Sequence, residues 1–255
     1  MSVMLSALPD IPLIREGDDL GEIIYRSMQQ NFSVKSHDII CVAHKIVSKA
    51  EGALIDLNSV RPSKRATQLA RDLNKRPEKV EVILQESSRV IRSFKHAHAK
   101  EGVIITQHRL GFISANAGVD ESNVGADGKV LLLPKDPDAS AAKIGAKIET
   151  LSGCQVGVIV TDTFGRPWRV GQVNVAIGLY RVPSTRSEIG SFDAWGNPLR
   201  VTEPAFGDEI AAASGLVITK QSRTPVTLLR GLKWKPHLSV SALSLVRNPK
   251  EDMFQ

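Results

Sequence analysis

The feature that most constrains this chain is the unit over residues 137–162, "PDASAAKIGAKIETLSGCQVGVIVTD". Its first part reads as a helix that Gly153 stops, since glycine accepts the left-handed conformation in which helices commonly end. The stretch that follows, "QVGVIVTD", is the most apolar strand candidate in the chain. A near-continuous apolar run of that kind is expected of a strand covered on both faces.

Other segments add to this unit. "DIICVAHKIV" (38–47) reads as a buried strand ending in polar residues. "PSKRATQLARDLN" (62–74) reads as a helix with Pro62 in its first turn. "PEKVEVILQESSRVI" (77–91) carries Val80, Ile83 and Leu84 at helical spacing. "GVIITQHRLGFISANAG" reads as two strands with a polar turn near residues 107–109, and residues 118–128 as a loop. "VNVAIGLYRV", "LVITK" and "PVTLL" are further strand candidates. Thr202 is placed as the cap of a helix running to Ser214, with Pro204 in its first turn. Strands and helices mix without strict alternation, so the expected class is mixed α/β, not doubly wound. No long linker or internal repeat divides the chain. Residues 1–255 are read as one domain, which two subdomains could share.

Composition excludes several classes. No apolar run approaches the roughly 20 residues of a membrane helix. The N-terminus lacks the basic and then apolar pattern of a signal peptide. Cys41 and Cys154 lie in apolar contexts and read as buried thiols of a cytoplasmic protein. Net charge is +6, and residues 61–100 hold eleven Lys and Arg against four Asp and Glu. That stretch is a solvated helical face, a nucleic-acid surface or a dock for small anions; it lacks the interleaved aromatics of a nucleic-acid module. P-loop, dinucleotide, nucleophile-elbow and zinc-helix motifs are absent. His96 and His98 read as surface residues.

Three polar clusters follow apolar segments. In "AHKIVSKAEG" (43–52), Lys45 and Lys49 bracket Ser48, and lysines there could meet phosphate as mobile point charges. In "NAGVDESNVG" (116–125), Asp120, Glu121 and Asn123 offer oxygen donors to a hard cation. In "VIVTDTFGRPWR" (158–169), Asp162 and Thr163 stand at a strand end, Gly165 and Pro167 shape a loop, and Arg166 and Arg169 could bind carboxylate or phosphate. Each has a plain alternative: an exposed strand end, an Asx-rich turn, a capping Asp beside solvated arginines. Two acidic loops with lysines and arginines together form the inventory phosphoryl transfer requires. Asp208 and Glu209 are candidates for a base or positioning role, against the plain reading of water-facing helical acids.

The motifs "IPLIREGDDL", "HKIVSKAEG", "ANAGVDESNV", "LLLPKDPDASA", "VIVTDTFGRPWRVGQ" and "VAIG" occur in that order. With them the chain resembles the coenzyme F420-0:γ-glutamyl ligase family over about residues 11–232. The resemblance implies GTP-dependent addition of L-glutamate to the deazaflavin precursor F420-0 through a γ-linked amide. It also implies Mg²⁺ or Mn²⁺ at two sites, K⁺ as a further cation, an unusual two-part α/β fold and an intertwined homodimer. By the matching motifs, Asp120, Asp162 and Thr163 would be metal ligands, and Asp162, Lys49 and Arg166 would serve catalysis. The nucleotide would meet Ile11, Pro12, Leu13, Ile14, His44, Lys45, Lys49 and Asn123. It would also meet Leu216, Val217, Ile218, Thr219, Lys220 and Gln221.

Departures from the family pattern are Asn174 in place of an acid, Thr219 in place of a glycine, and "GLYRVP" in place of a small-residue run. No C-terminal nitroreductase-like domain is expected. The alternatives are an amide ligase for another carboxylate and a non-catalytic nucleotide- or deazaflavin-binding protein. No nucleic-acid or membrane partner is expected.

Overall fold

The computed structural model describes residues 2–122, 124–125, 127–218 and 223–253. The apolar runs of the sequence come together in a five-stranded mixed sheet. Its strands, in spatial order, are β1 (Met4–Ala7), β10 (Val226–Arg230), β2 (Ile39–Ala43), β8 (Gly157–Arg166) and β9 (Arg169–Tyr180). Only β2 and β8 run parallel, with Ile40 opposite Val158 and Val42 opposite Val160. These central strands are fully buried at Ile39, Ile40, Val42 and Val158–Val160, as their unbroken apolar character requires.

Helices cover both faces. α5 (Pro137–Ser152) is capped by Asp136, which accepts from Ala139 N at 3.0 Å, and ends at Gly153 with φ +69°. It packs on β8 and β9 beside α1 (Leu20–Asn31). α6 (Phe206–Ser214) packs on the opposite face: its Gly207 faces Leu179, whereas Gly145 of α5 faces the next residue, Tyr180. Neighbouring residues of a strand point to opposite faces, which fixes the layering. Gly178 is required by this contact, because a Cβ there would lie 2.3 Å from the main-chain oxygen of Pro137. Gly178→Ala is expected to lower unfolding free energy by about 1–3 kcal/mol, read by urea denaturation, since backbone must move to admit the methyl.

A second cluster of buried apolar residues is built from α3 (Lys64–Leu73), α4 (Pro77–Gln85) and two small sheets. One sheet pairs β3 (Leu54–Asp56) with β7 (Lys129–Leu131); the other orders β4 (Ser87–Phe94), β5 (Val103–His108) and β6 (Ile113–Ala115). Leu57, Leu73, Val80, Ile83, Ile104 and Val130 fill this core. The remaining helix, α2 (His44–Ala50), follows β2 directly and leads into β3.

Several sequence expectations give way. The strand expected over 38–47 stops at Ala43, and His44 opens α2. The β-branched pair Ile46–Val47 suggested strand, but both are buried on the helix. The helix expected over 77–91 ends at Gln85, and 87–94 pairs with β5 instead. Pro62 precedes the Ser63 cap of α3 and lies outside its first turn. Thr202 is no cap: α6 begins at Phe206 with no side-chain cap hydrogen bond, and Pro204 lies before it. "LVITK" is not a strand where described; Leu216 and Val217 form a turn after α6. The loop expected after Asp162 is the outer half of a hairpin, β8 continuing to Arg166 and β9 starting at Arg169. Pro167 and Trp168 make its turn, with Trp168 at φ +55°. Cys41 is buried as expected, and burial pushes its thiol up to about 12, while Cys154 is only half-buried; both are free thiols. Among the described residues no helix is long and apolar enough to cross a membrane.

Candidate active site

Two consecutive residues tie the acidic clusters together. His44 and Lys45 stand where β2 passes into α2. His44 Nε2 lies 3.3 Å from Asp162 Oδ1 of β8, the strand beside β2. The next residue, Lys45, places Nζ 2.5 Å from Asp120 Oδ2, and its ammonium also donates to Ser122 Oγ. Asp120 is fixed from the other side, where Ser122 N donates to its Oδ1 at 2.6 Å. Its own main chain bridges to Leu131 at the end of β7. The loop over 118–122 and the β8 strand, 42 residues apart at Asp120 and Asp162, therefore meet across one dipeptide.

The electrostatics follow from these pairs. Burial alone would raise Asp120, but the Lys45 ammonium and the Ser122 N–H outweigh it and hold the carboxyl below its usual range. Lys49, one helical turn beyond Lys45, is pushed down by burial and by the Lys45 charge. Two ammonium groups on one helix face, the first of them paired with Asp120, suit an anionic ligand. The His44 ring is buried; its Nδ1 lies 3.4 Å from Ser48 Oγ. Nε2 is close to Asp162 but poorly aligned, and it has no hydrogen-bond partner among the described residues. A buried orphan nitrogen beside a carboxylate leaves polar capacity directed at a ligand.

The donor set fits a hard cation in part. Asp120 and Asp162 supply two carboxylates, and Mg²⁺ or Mn²⁺ needs only one or two when phosphate oxygens and water complete the shell. No group of three or more His, Cys, Asp or Glu able to hold a metal occurs among the described residues. Thr163 is placed differently from Asp162. Its hydroxyl donates to Asn174 Oδ1 at 2.9 Å, and Asn174 in turn donates to Ser214 Oγ at 3.2 Å. Strand alternation turns Thr163 to the face opposite Asp162.

That same chain of hydrogen bonds ties Ser214, the last residue of α6, to the hairpin. Asn174, at the position where the family pattern has an acid, bridges the two. Thr219, Lys220, Gln221 and Asn123 lie outside the described residues. Residues 11–14 precede α1; Gly17, just beyond them, donates to Ala50 O at the end of α2. Ile14 is buried there, while Leu13 is exposed. Arg166 is four residues beyond Asp162, about 13 Å along the strand, and its Nη2 donates to Val170 O at 3.2 Å within the hairpin. It and Arg169 face each other across the turn, away from Lys45.

Sequence reasoning missed the support beneath Asp120. Lys79, buried on α4, pairs with Glu121 at 2.5 Å and with Glu101 at 3.3 Å; buried Lys75 pairs with Glu101 at 2.9 Å. Part of the basic stretch is thus internal ion pairing, not a solvated face. The available signal was Lys79 sitting beside Val80 and Ile83 on the apolar side of α4.

Asp208 occupies the first turn of α6 and accepts from Ala176 N at 2.9 Å, its one hydrogen bond with the described residues. Burial raises its carboxyl above the usual range, partly offset by that N–H. A carboxyl raised in the fold costs stability once ionised, in full above its folded pKa and not at all below the unfolded value of 3.8. Asp208→Asn should therefore melt at the same or a higher temperature at pH 7. Its advantage should vanish below about pH 3.8, which scanning calorimetry across pH would read.

The chain is similar to known proteins over almost its whole length. A coenzyme F420:L-glutamate ligase of Methanopyrus kandleri is 42% identical over 248 residues, covering 95% of this chain and 93% of the relative. Those of Methanothermobacter thermautotrophicus and Archaeoglobus fulgidus are 37% and 36% identical, covering this chain fully and 100% and 97% of themselves. The family model described as F420-0:Gamma-glutamyl ligase matches residues 10–231. On that match and these identities, the chain belongs to the F420-0:γ-glutamyl ligase family.

Proposed function

We propose that the protein joins L-glutamate to F420-0 through a γ-linked amide, consuming GTP. Family membership supports the reaction class. The observation that carries it on to this chain's residues is the convergence of Asp120 and Asp162 on the His44–Lys45 dipeptide. GTP binds with its phosphates over the first turn of α2, where Lys45 and Lys49 offset their charge. His44, the loop over 11–14 and the segment from Leu216 through Gln221 complete the nucleotide site.

The terminal carboxylate of F420-0 attacks the γ-phosphate and becomes an acyl phosphate. The α-amine of glutamate then displaces phosphate. Asp120 and Asp162 would hold Mg²⁺ or Mn²⁺, which when bound draws charge off the phosphates; Thr163 would add an oxygen through its main chain. The buried His44 ring lies against Asp162 and excludes water from one side of it. Lys79 and Glu121 brace the loop that carries Asp120.

A homodimer is part of this reading. Val170 is fully exposed and Trp168 79% exposed at the hairpin tip, and Phe192 and Trp195 stand out from the loop over 187–201. Exposed apolar groups of this size mark interaction surfaces. Arg166 and Arg169 flank the same tip, so any contact they make with substrate would be across the partner. The two hydrophobic clusters support a fold in two parts.

The test mixes purified protein with F420-0, glutamate, GTP and Mn²⁺ and follows products by mass. A gain of one or more glutamyl units is expected. GTP turnover with no glutamylated product would move the protein to an amide ligase for another carboxylate. No turnover with any metal would make it a nucleotide- or deazaflavin-binding protein.

A further inference from the structure

A cavity of about 230 Å³ lies between the root of the β8–β9 hairpin, the β5–β6 turn and the C-terminal segment. Phe112, Phe164 and Val175 form its apolar wall, and Asp208, Arg247 and Asp252 are its charged groups. Its position relative to Asp162 follows from the hairpin register. Val175 is the cross-strand partner of Asp162, and Phe164 is two residues along the same strand. Both therefore share the face of Asp162, and Val175 stands within about 5 Å of it across the ladder. Among the described residues Asp162 does not line the cavity itself: Val175 stands between the two, and Asp208 reaches the cavity from α6 on the other face of the sheet.

Size and charge select its occupant. A cavity of about 230 Å³ has room for a free amino acid. Asp208 uses Oδ1 on Ala176 N, and Oδ2 has no partner among the described residues. A guanidinium carries five N–H donors, more than one partner uses, so Arg247 can serve a carboxylate alongside the contacts it already makes. An acid and a guanidinium on one cavity match the ammonium and carboxylate of a free α-amino acid.

We propose that this cavity holds the incoming glutamate, and that Asp208 binds its α-ammonium and takes up a proton from it as the amide forms. The assignment rests on the ligase reading above. The ammonium gives one proton to Asp208; the nitrogen lone pair forms the C–N bond; the C–O bond to phosphate breaks; and the second nitrogen proton leaves with hydrogen phosphate. Charge and atoms balance, with neutral Asp208, amide and hydrogen phosphate as products. Burial, which keeps the Asp208 carboxyl easier to protonate than an exposed one, suits a proton acceptor at neutral pH. Arg247 and Asp252 are the other charged groups facing the cavity and would shape its pH profile.

The experiment compares two nucleophiles in wild type and Asp208→Asn with saturating GTP, Mn²⁺ and F420-0. Hydroxylamine is uncharged at neutral pH, needs no base and traps the acyl phosphate as a hydroxamate. Hydroxamate formation is expected to stay within about threefold of wild type, while glutamate ligation falls by about 10²-fold or more and the KM for glutamate rises. The amide side chain preserves the Ala176 contact, and a melting curve checks the fold.

A second variant, Val246→Phe, narrows the cavity from the C-terminal segment. It should raise the glutamate KM and leave hydroxamate formation unchanged. Equal loss of both products in Asp208→Asn, or near-normal ligation, would overturn the assignment. A wild-type protein that forms neither product would instead overturn the ligase reading itself.

Discussion

Asp162→Asn is expected to lower ligation by about 10³-fold or more while leaving the fold intact. The asparagine keeps the size of the side chain and an oxygen that can accept from Thr163 N, as Asp162 Oδ1 now does at 2.6 Å. What it loses is charge. A carboxylate that holds a cation against a triphosphate supplies several kcal/mol of transition-state stabilisation, and each 1.36 kcal/mol is tenfold in rate. Product mass spectrometry reads the rate, and calorimetry reads the fold. Turnover near that of wild type in a folded variant would take Asp162 out of the chemistry.

The second large effect is at Lys45. Lys45→Ala should reduce turnover by about 10²–10³-fold, more than it weakens GTP binding. The lysine follows His44, which meets Asp162, and itself pairs with the half-buried Asp120. It is also the cation nearest the transferring phosphoryl group in the proposed arrangement. Removing it strips charge from the phosphate side and leaves Asp120 without its counter-ion. Lys45→Arg should restore little, because a planar guanidinium cannot take the place of a compact ammonium between Asp120 and Ser122. GTP binding by calorimetry separates the two effects. Turnover within threefold of wild type in the alanine variant would show that Lys49 alone suffices.

The parts of the fold legible in the residues were those where local and global preferences agree. α5 has an acidic cap, Pro137 at its start and Gly153 at its end, and it formed as read. β5 and β6 paired around the expected polar turn. The misreadings share a cause. Residues 44–50 and 87–94 each hold one β-branched pair, Ile46–Val47 and Val90–Ile91, among polar residues, and such a pair suits either structure, so the neighbours decide. His44 opens a helix because β2 ends where α2 must cross toward β3 and β7. The hairpin beyond Asp162 was hidden because Pro and Gly near its tip resemble a loop, whereas only register with β9 shows a strand.

The chemistry divides in the same way. Residue types alone picked out two acidic clusters, a lysine-bearing segment after an apolar strand, and a mixed α/β class, because those depend on side-chain chemistry and short-range periodicity. Tertiary structure alone decided that Asp162 meets His44 while Asp120 meets Lys45, that Thr163 turns toward Asn174, and that Asp208 borders a cavity. Such contacts join residues from eleven to more than a hundred positions apart. They are fixed by strand register and helix placement, which arise from burial of the whole core and leave no mark in any one stretch of chain.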